Sequence, residues 1–312
     1  MTEKVILREV GLRDGIQMVK TTLATADKLA FARAAAAAGI PEIEATSFVP
    51  PHILPQFADA AEVAAGLRDL PGATVSALVV NLKGAVRAFD TGLRKVNYVV
   101  SASEAHSLAN ARRSTDAALE EFRLIVAERK ARGLDGQVML GVGIATAFGC
   151  TLQGEVPEAR VAEIAGILAA AGADEIMAAD TVGYANPVQT RRVFEQLSAA
   201  VGQLPLAAHF HDTRGLGLAN VTAALEAGVR RFDASLGGLG GCPFAPGATG
   251  NINTEDTAFM LEAMGFDTGI DIEALVALRR RLEEWLPGER FSGGVSRAGL
   301  PRTFRNAVKR AA

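Results

Sequence analysis

The chain has little cysteine, no excess of positive charge and no long apolar run. Two cysteines, Cys150 and Cys242, among 312 residues are too few for a disulfide framework or an all-cysteine zinc site. A reducing cytoplasm is the expected setting. Lysine and arginine number 32 against 35 acidic residues, a formal net charge of −3. No basic stretch is dense enough to suggest nucleic acid as a partner. The alanine-rich runs, such as residues 34–38, fall far short of the roughly 20 residues that cross a bilayer. Met1-Thr2-Glu3-Lys4 leads straight into an apolar strand, with no signal-peptide pattern expected. What remains is a globular composition, 49% apolar and 21% charged, long enough for one large domain or two ordinary ones.

Along the chain, short apolar runs alternate with longer amphipathic ones. Strands are predicted at residues 5–10, 42–48, 74–80, 95–101, 137–144, 175–180, 206–211 and 231–236. Helices are predicted at 25–38, 52–67, 82–92, 114–132, 158–171, 187–201 and 216–227, with Thr25 and Ser114 as N-caps. Gly39, Gly172 and Gly228 stand where helices should stop, because glycine takes the left-handed conformation cheaply. Eight strands alternating with helices predict an α/β fold, a (β/α)8 TIM barrel. An open doubly wound sheet is the alternative, but the first turn lacks a G-x-G-x-x-G phosphate fingerprint. The expected division is a catalytic barrel over 1–266 and a short C-terminal helical extension over 267–312, packed on the barrel.

In such a barrel, chemistry gathers at the C-terminal ends of the strands. His209 and His211 end the seventh strand and, two apart, share a face. Two imidazoles suit a divalent metal, although two hydrogen-bonded histidines explain the pair as well. Asp14 after strand 1 and Asn251 after strand 8 could complete the ligand set, and mixed N/O ligation suits Mg²⁺ or Mn²⁺. Taken singly, Asp14 is also a turn former and Asn251 a loop amide. Arg13 offers several donors to an oxyanion, or else forms a surface ion pair. Glu44, inside an apolar strand, needs a partner, and Arg13 is the obvious one. Strand 6 ends at Asp180-Thr181. Strand 8 is followed by a glycine-rich loop carrying Cys242, which reads as a lid or as a phosphate-binding loop. Cys242 itself reads as an acid/base group, a nucleophile or a small packing residue.

Together these motifs carry a resemblance. They are Arg8-Glu9-Val10-Gly11-Leu12-Arg13-Asp14-Gly15-Ile16-Gln17, Ile43-Glu44-Ala45-Thr46-Ser47-Phe48, Asn81-Leu82-Lys83-Gly84, Asp180-Thr181-Val182-Gly183, His209-Phe210-His211-Asp212-Thr213, and the run from Gly238-Leu239-Gly240-Gly241-Cys242-Pro243 to Gly250-Asn251. Over roughly residues 4 to 267 the chain resembles the hydroxymethylglutaryl-coenzyme A lyases of the DRE-TIM metallolyase superfamily. The resemblance implies cleavage of a carbon–carbon bond in a 3-hydroxy-3-methylglutaryl thioester, giving acetyl-CoA and acetoacetate. It implies Asp14, His209, His211 and Asn251 as ligands of a divalent cation, Mg²⁺ or Mn²⁺. Arg13 matches the residue that stabilises the enolate, and Glu44 completes the Asp-Arg-Glu triplet. Asp180 matches an acidic active-site residue and Cys242 the cysteine of a mobile loop. Glu9 and Glu255 match supporting acidic residues. Gln17, Lys20, Asn81, Lys83 and Thr181 are candidates for contacting the acyl-CoA substrate, the lysines because its phosphates attract cations. The resemblance also implies a homodimer or higher homo-oligomer and a place in leucine degradation.

Two departures from the family pattern stand out. The lyases carry Asn-Glu after the Gln of the first motif, where this chain has Met18-Val19. After strand 5 they carry Gly-Cys-Pro-Tyr/Phe-Glu-Gly, where this chain has Gly149-Cys150-Thr151-Leu152-Gln153-Gly154. Both changes remove a carboxylate, so the expected consequence is an altered acyl pocket, with room for a longer or less polar C3 substituent. A condensing acyltransferase of the same superfamily is the alternative enzyme, and a non-catalytic binding protein the alternative class. The cysteine loop speaks against the first, and the full residue set against the second.

Overall fold

Eight parallel strands close into a barrel in chain order: β1 (Ile6–Glu9), β2 (Glu42–Ser47), β3 (Thr74–Val79), β4 (Lys95–Ser101), β5 (Met139–Ala145), β6 (Glu175–Asp180), β7 (Leu206–Phe210) and β8 (Arg231–Ala234). Closure comes from β8 pairing with β1, Ile6 opposite Arg231 and Glu9 opposite Ala234. The computed structural model describes residues 2–241 and 250–304. Around the barrel run α1 (Thr25–Ala37), α2 (Ala60–Leu67), α3 (Leu82–Phe89), α4 (Glu104–Ala111), α5 (Thr115–Ala131), α6 (Glu158–Ala171), α7 (Pro187–Val201), α8 (Gly217–Glu226) and α9 (Thr254–Ala263). Among the described residues no helix is long and apolar enough to cross a membrane.

The expected (β/α)8 barrel is thus the fold, with local differences that have physical causes. The helix expected over 52–67 breaks in two: Pro55 opens a single 3₁₀ turn, Pro55–Phe57, and α2 begins only at Ala60. A proline leaves the residue before it extended and supplies no N–H to a helix. Thr25 is not a cap. Ala24 holds that position, and the Thr25 hydroxyl donates instead to Asp59 Oδ2 at 2.8 Å. Ser114 does cap α5, accepting from Ala117 N. The helix α4 was not legible as one, being only two turns long; Ser103 caps it and Arg112 ends it in the left-handed conformation.

Strand side chains alternate between two environments. One set, including Ile43, Ala77, Val96, Ile176, Ala178, Phe210 and Phe232, is buried against helix residues such as Phe31, Phe122, Ile164 and Phe194. The other set faces the barrel interior, and low in the barrel it is charged. Arg8 donates to Asp233 Oδ1 at 2.6 Å and to Glu175, while Lys95 Nζ lies 2.7 Å from Glu42 and 3.0 Å from Glu175. Burying these charges is costly unless each is paired, and here each has partners of opposite sign. The interior floor is therefore an ion-pair layer beneath the site.

After α9 the chain returns to the start of the barrel, Val5 N donating to Asp267 O at 3.0 Å. Then α10 (Ile272–Trp285) packs against α1 and α9, followed by the short α11 (Val295–Ala298).

Candidate active site and metal centre

The first turn after β1 sets the site. Residues Gly11–Gly15 form one turn of π-helix, closed by Gly15 N on Val10 O and Ile16 N on Gly11 O. Glycine is needed at Gly11, where a Cβ would stand 2.5 Å from Glu9 Oε1. The turn presents Arg13 and Asp14 together, with Arg13 Nη1 donating to Asp14 Oδ1 at 2.5 Å. Glu44, buried on β2, takes Arg13 Nε on its Oε2. The guanidinium is thus held on two sides, as a pair of carboxylates along its fork can do. Burial pulls the Arg13 pKa down, but Glu44 and Asp14 outweigh it and hold the guanidinium above its ordinary value. Burial drives Asp14 up, but Arg13, His211 and His209 together outweigh it, so its carboxyl lies well below the usual range.

His209 and His211 project from the end of β7 with ring centroids 5.1 Å apart. Asn251 comes alongside because the chain leaving the barrel's last loop bridges back to His211, with Asp212 N donating to Gly250 O and Ile252 N to Phe210 O. Ligand atoms of Asp14, His209 and His211 all lie within 4.8 Å of one another. Asn251 Nδ2 donates to Asp14 Oδ2 at 2.8 Å and to Leu239 O at 3.0 Å, turning its Oδ1 the other way. Among the described residues that Oδ1 and both ring nitrogens of His211 are buried without a hydrogen-bond partner, His211 Nε2 standing 3.5 Å from Asp14 Oδ2. Buried polar atoms without partners are uncommon, and an absent ion is one recognised reason. The donor set fits a divalent cation.

His209 has a further partner, Asp233, whose Oδ2 is 3.1 Å from Nδ1. Burial favours the neutral acid, but Arg8 counters it and Asp233 sits at about 2, an acceptor only. The imidazole proton is therefore on Nδ1, leaving the Nε2 lone pair free to bind. Sequence reading missed Asp233. Its signal was a carboxylate inside an otherwise apolar strand, the same signal that singled out Glu44.

A cavity of about 510 Å³ opens from this cluster to the barrel mouth. Arg13, Asp14, Gln17, Glu44, Asn81, Thr181, His209 and His211 line it. Lys20 and Lys83 do not; both are exposed outside it. Besides Arg8 and Arg13, Arg112 and Arg113 at the end of α4 bring positive charge to the cavity. Asn81 also caps α3, accepting from Gly84 N at 2.8 Å.

Asp180 is placed otherwise than a general base would be. On β6, Glu175, Met177, Ala179 and Thr181 line the cavity, so Asp180 falls on the opposite face. Its two oxygens accept from Tyr184 N and Ala185 N, which fixes the turn after β6, and burial raises its pKa. Glu9 and Glu255 are also away from the cavity. Glu9 takes Gly11 N, Leu236 N and the Thr254 hydroxyl, tying the first turn to the loop after β8. Glu255 takes Gly237 N and pairs with Arg279 of α10. Cys242 lies outside the described residues; Cys150 is buried as a free thiol. The departing residues Met18, Val19 and Thr151 to Gln153 do not line the cavity, so its described walls owe nothing to them.

A closed parallel barrel with this cluster and a clamped guanidinium at its mouth defines a class: (β/α)8 enzymes with a candidate divalent-metal centre. The HMGL-like family model matches residues 4–282, and the chain belongs to that family. It is 39% identical over 90% of its length to a hydroxymethylglutaryl-CoA lyase of Bacillus subtilis, covering 93% of that protein. It is 40% identical, with the same coverage, to a Pseudomonas aeruginosa protein named 3-hydroxy-3-isohexenylglutaryl-CoA/hydroxymethylglutaryl-CoA lyase. Among solved structures, an HMG-CoA lyase from Acinetobacter baumannii in complex with coenzyme A and 3-methylmalate superposes with a TM-score of 0.89 at 40% identity, over 97% of each chain.

Proposed function

We propose that this protein cleaves 3-hydroxy-3-methylglutaryl-CoA to acetyl-CoA and acetoacetate. The observation that carries the reading is Arg13, clamped by Glu44 and Asp14 next to the imidazole pair. In the reaction the tertiary hydroxyl loses its proton and its oxygen becomes the ketone of acetoacetate. The C2–C3 bond breaks, its electron pair passes to the acetyl thioester as an enolate, and a proton then converts the enolate to acetyl-CoA.

Asp14, His209, His211 and Asn251 would hold the divalent cation, Mg²⁺ or Mn²⁺. Such an ion, when bound, supplies Lewis acidity toward a substrate hydroxyl and carboxylate. Arg13 directs its Nη2, which has no protein partner among the described residues, at the enolate oxygen. A preorganised donor of this kind is worth on the order of 3 kcal/mol in the transition state. Asp180 is left out of the proton transfers because its carboxylate is committed to a turn. Cys242 keeps the proposed part of delivering the final proton, on the resemblance alone. Arg112 and Arg113 replace Lys20 and Lys83 as the groups facing the coenzyme phosphates. The reading also places the protein in the cytoplasm, supported by its likeness to bacterial lyases; a homodimer or higher homo-oligomer and a place in leucine degradation follow from the resemblance alone.

One observation favours a second substrate, a thioester with a C3 group larger than methyl. On β5 the cavity-lining positions above Gly141, which the Asn97 amide covers, are the small Gly143 and Ala145, with the flexible Met177 in front of Gly143. A panel of 3-hydroxyglutaryl thioesters differing at C3, assayed for acetyl-CoA release, tests both. Cleavage of the methyl compound supports the first reading, and a preference for larger groups the second. Cleavage of none overturns both.

A further inference from the structure

Glu44 is itself held, and the residue that holds it is one the reaction does not otherwise use. Asn97 is the interior residue of β4 opposite Gly141 of β5. Its Nδ2 donates to Glu44 Oε1 at 2.8 Å and to Ser76 Oγ at 3.3 Å. Glu44 Oε2 receives Arg13 Nε, so the two carboxylate oxygens are divided between Asn97 and Arg13. A carboxylate ion-paired to a guanidinium only accepts, which assigns the amide: Nδ2 faces Glu44 and Oδ1 faces Gly141. Glycine leaves room for that orientation. A Cβ at Gly141 would stand 2.5 Å from Asn97 Oδ1, closer than any real contact. Two strands are thus adapted to one hydrogen bond.

We propose that Asn97 is a positioning residue for Arg13, acting through Glu44, and that Gly141 is glycine to let it do so. The inference rests on Arg13 serving the enolate as proposed above. Without the amide, Glu44 keeps its charge and its ion pair but can turn about its side chain, and the guanidinium turns with it. A displacement of about 1 Å at a group that meets the transition state can cost 10²-fold in rate, with little effect on binding.

The test measures kcat and KM for 3-hydroxy-3-methylglutaryl-CoA with Mg²⁺ in wild type, Asn97→Ala, Asn97→Leu and Gly141→Ala, each also in an Arg13→Met background. Leucine has nearly the shape of asparagine without its donor, so it restores packing but not the hydrogen bond. Circular dichroism checks folding, and Gly141→Ala reaches the same amide from the opposite strand should either Asn97 variant misfold. All three single variants are expected to lose about 10- to 100-fold in kcat, the usual range for a partner one step removed, with KM nearly unchanged. In the Arg13→Met background the same changes should cost less than about twofold, because the group they position is gone. Wild-type kcat in Asn97→Leu, or an undiminished loss in the Arg13→Met background, overturns the relay. An inactive wild type instead overturns the functional reading, which keeps the two failures apart.

Discussion

Asp233 Oδ2 lies 3.1 Å from Nδ1 of His209, and its other oxygen takes Arg8 Nε at 2.6 Å. Arg8 keeps the carboxylate ionised, and the carboxylate fixes the imidazole tautomer. Asp233→Asn removes the charge and permits the opposite tautomer. Mn²⁺ affinity should fall about 10- to 100-fold, as measured by calorimetry on the folded variant. An unchanged affinity would remove His209 from the ligand set.

Arg13→Met deletes the clamped guanidinium but leaves Asp14, His209, His211 and Asn251 in place. Turnover should drop by about 10²–10³-fold with metal affinity retained. Steady-state kinetics beside a Mn²⁺ titration check this. Wild-type turnover would deprive Arg13 of its role.

Burial, the larger influence, raises Glu9 to about 7, although Thr254, Leu236 and Gly11 all donate to it. In the unfolded chain its value is near 4.5. The folded state therefore holds this proton more tightly, and the contribution is complete below about pH 4.5 and lost as pH rises through about 7. The change is on the order of 3 kcal/mol. Glu9→Gln keeps an acceptor for the two backbone N–H groups and does not titrate. Its denaturation midpoint should vary less between pH 5 and 8 than that of wild type; parallel curves would show that Glu9 does not titrate in this range.

Lys95 is fully buried between Glu42 and Glu175. Lys95→Met leaves both acids short of a partner and should cost about 3–5 kcal/mol, read from urea unfolding. A loss below about 1 kcal/mol would mean that water reaches the floor of the barrel.

The barrel was legible because parallel strands buried on both faces read as apolar runs, and glycines such as Gly39 and Gly172 mark the helix ends in the left-handed conformation. Asp14, His209 and His211 were legible because each follows or ends a strand, and the fold sends all strand ends to one rim. What a strand end does not reveal is which face its last residue takes. Asp180 and Thr181 are neighbours, yet only Thr181 reaches the cavity. Lys20 and Lys83 were chosen for charge, which says nothing about direction. Arg112 and Arg113 went unseen because α4 is only two turns long and its stop is an arginine, not a glycine. The interior ion pairs of Arg8, Glu42, Lys95 and Glu175 join strands far apart in sequence, so no local pattern shows them.

The most direct measurement is acetyl-CoA and acetoacetate release from 3-hydroxy-3-methylglutaryl-CoA by metal-stripped protein, before and after adding Mg²⁺ or Mn²⁺. Equimolar products should appear only with the cation and should be nearly abolished by Arg13→Met. Absence of cleavage with either cation, or full activity in the Arg13→Met protein, would contradict the proposed lyase activity and the part given to Arg13.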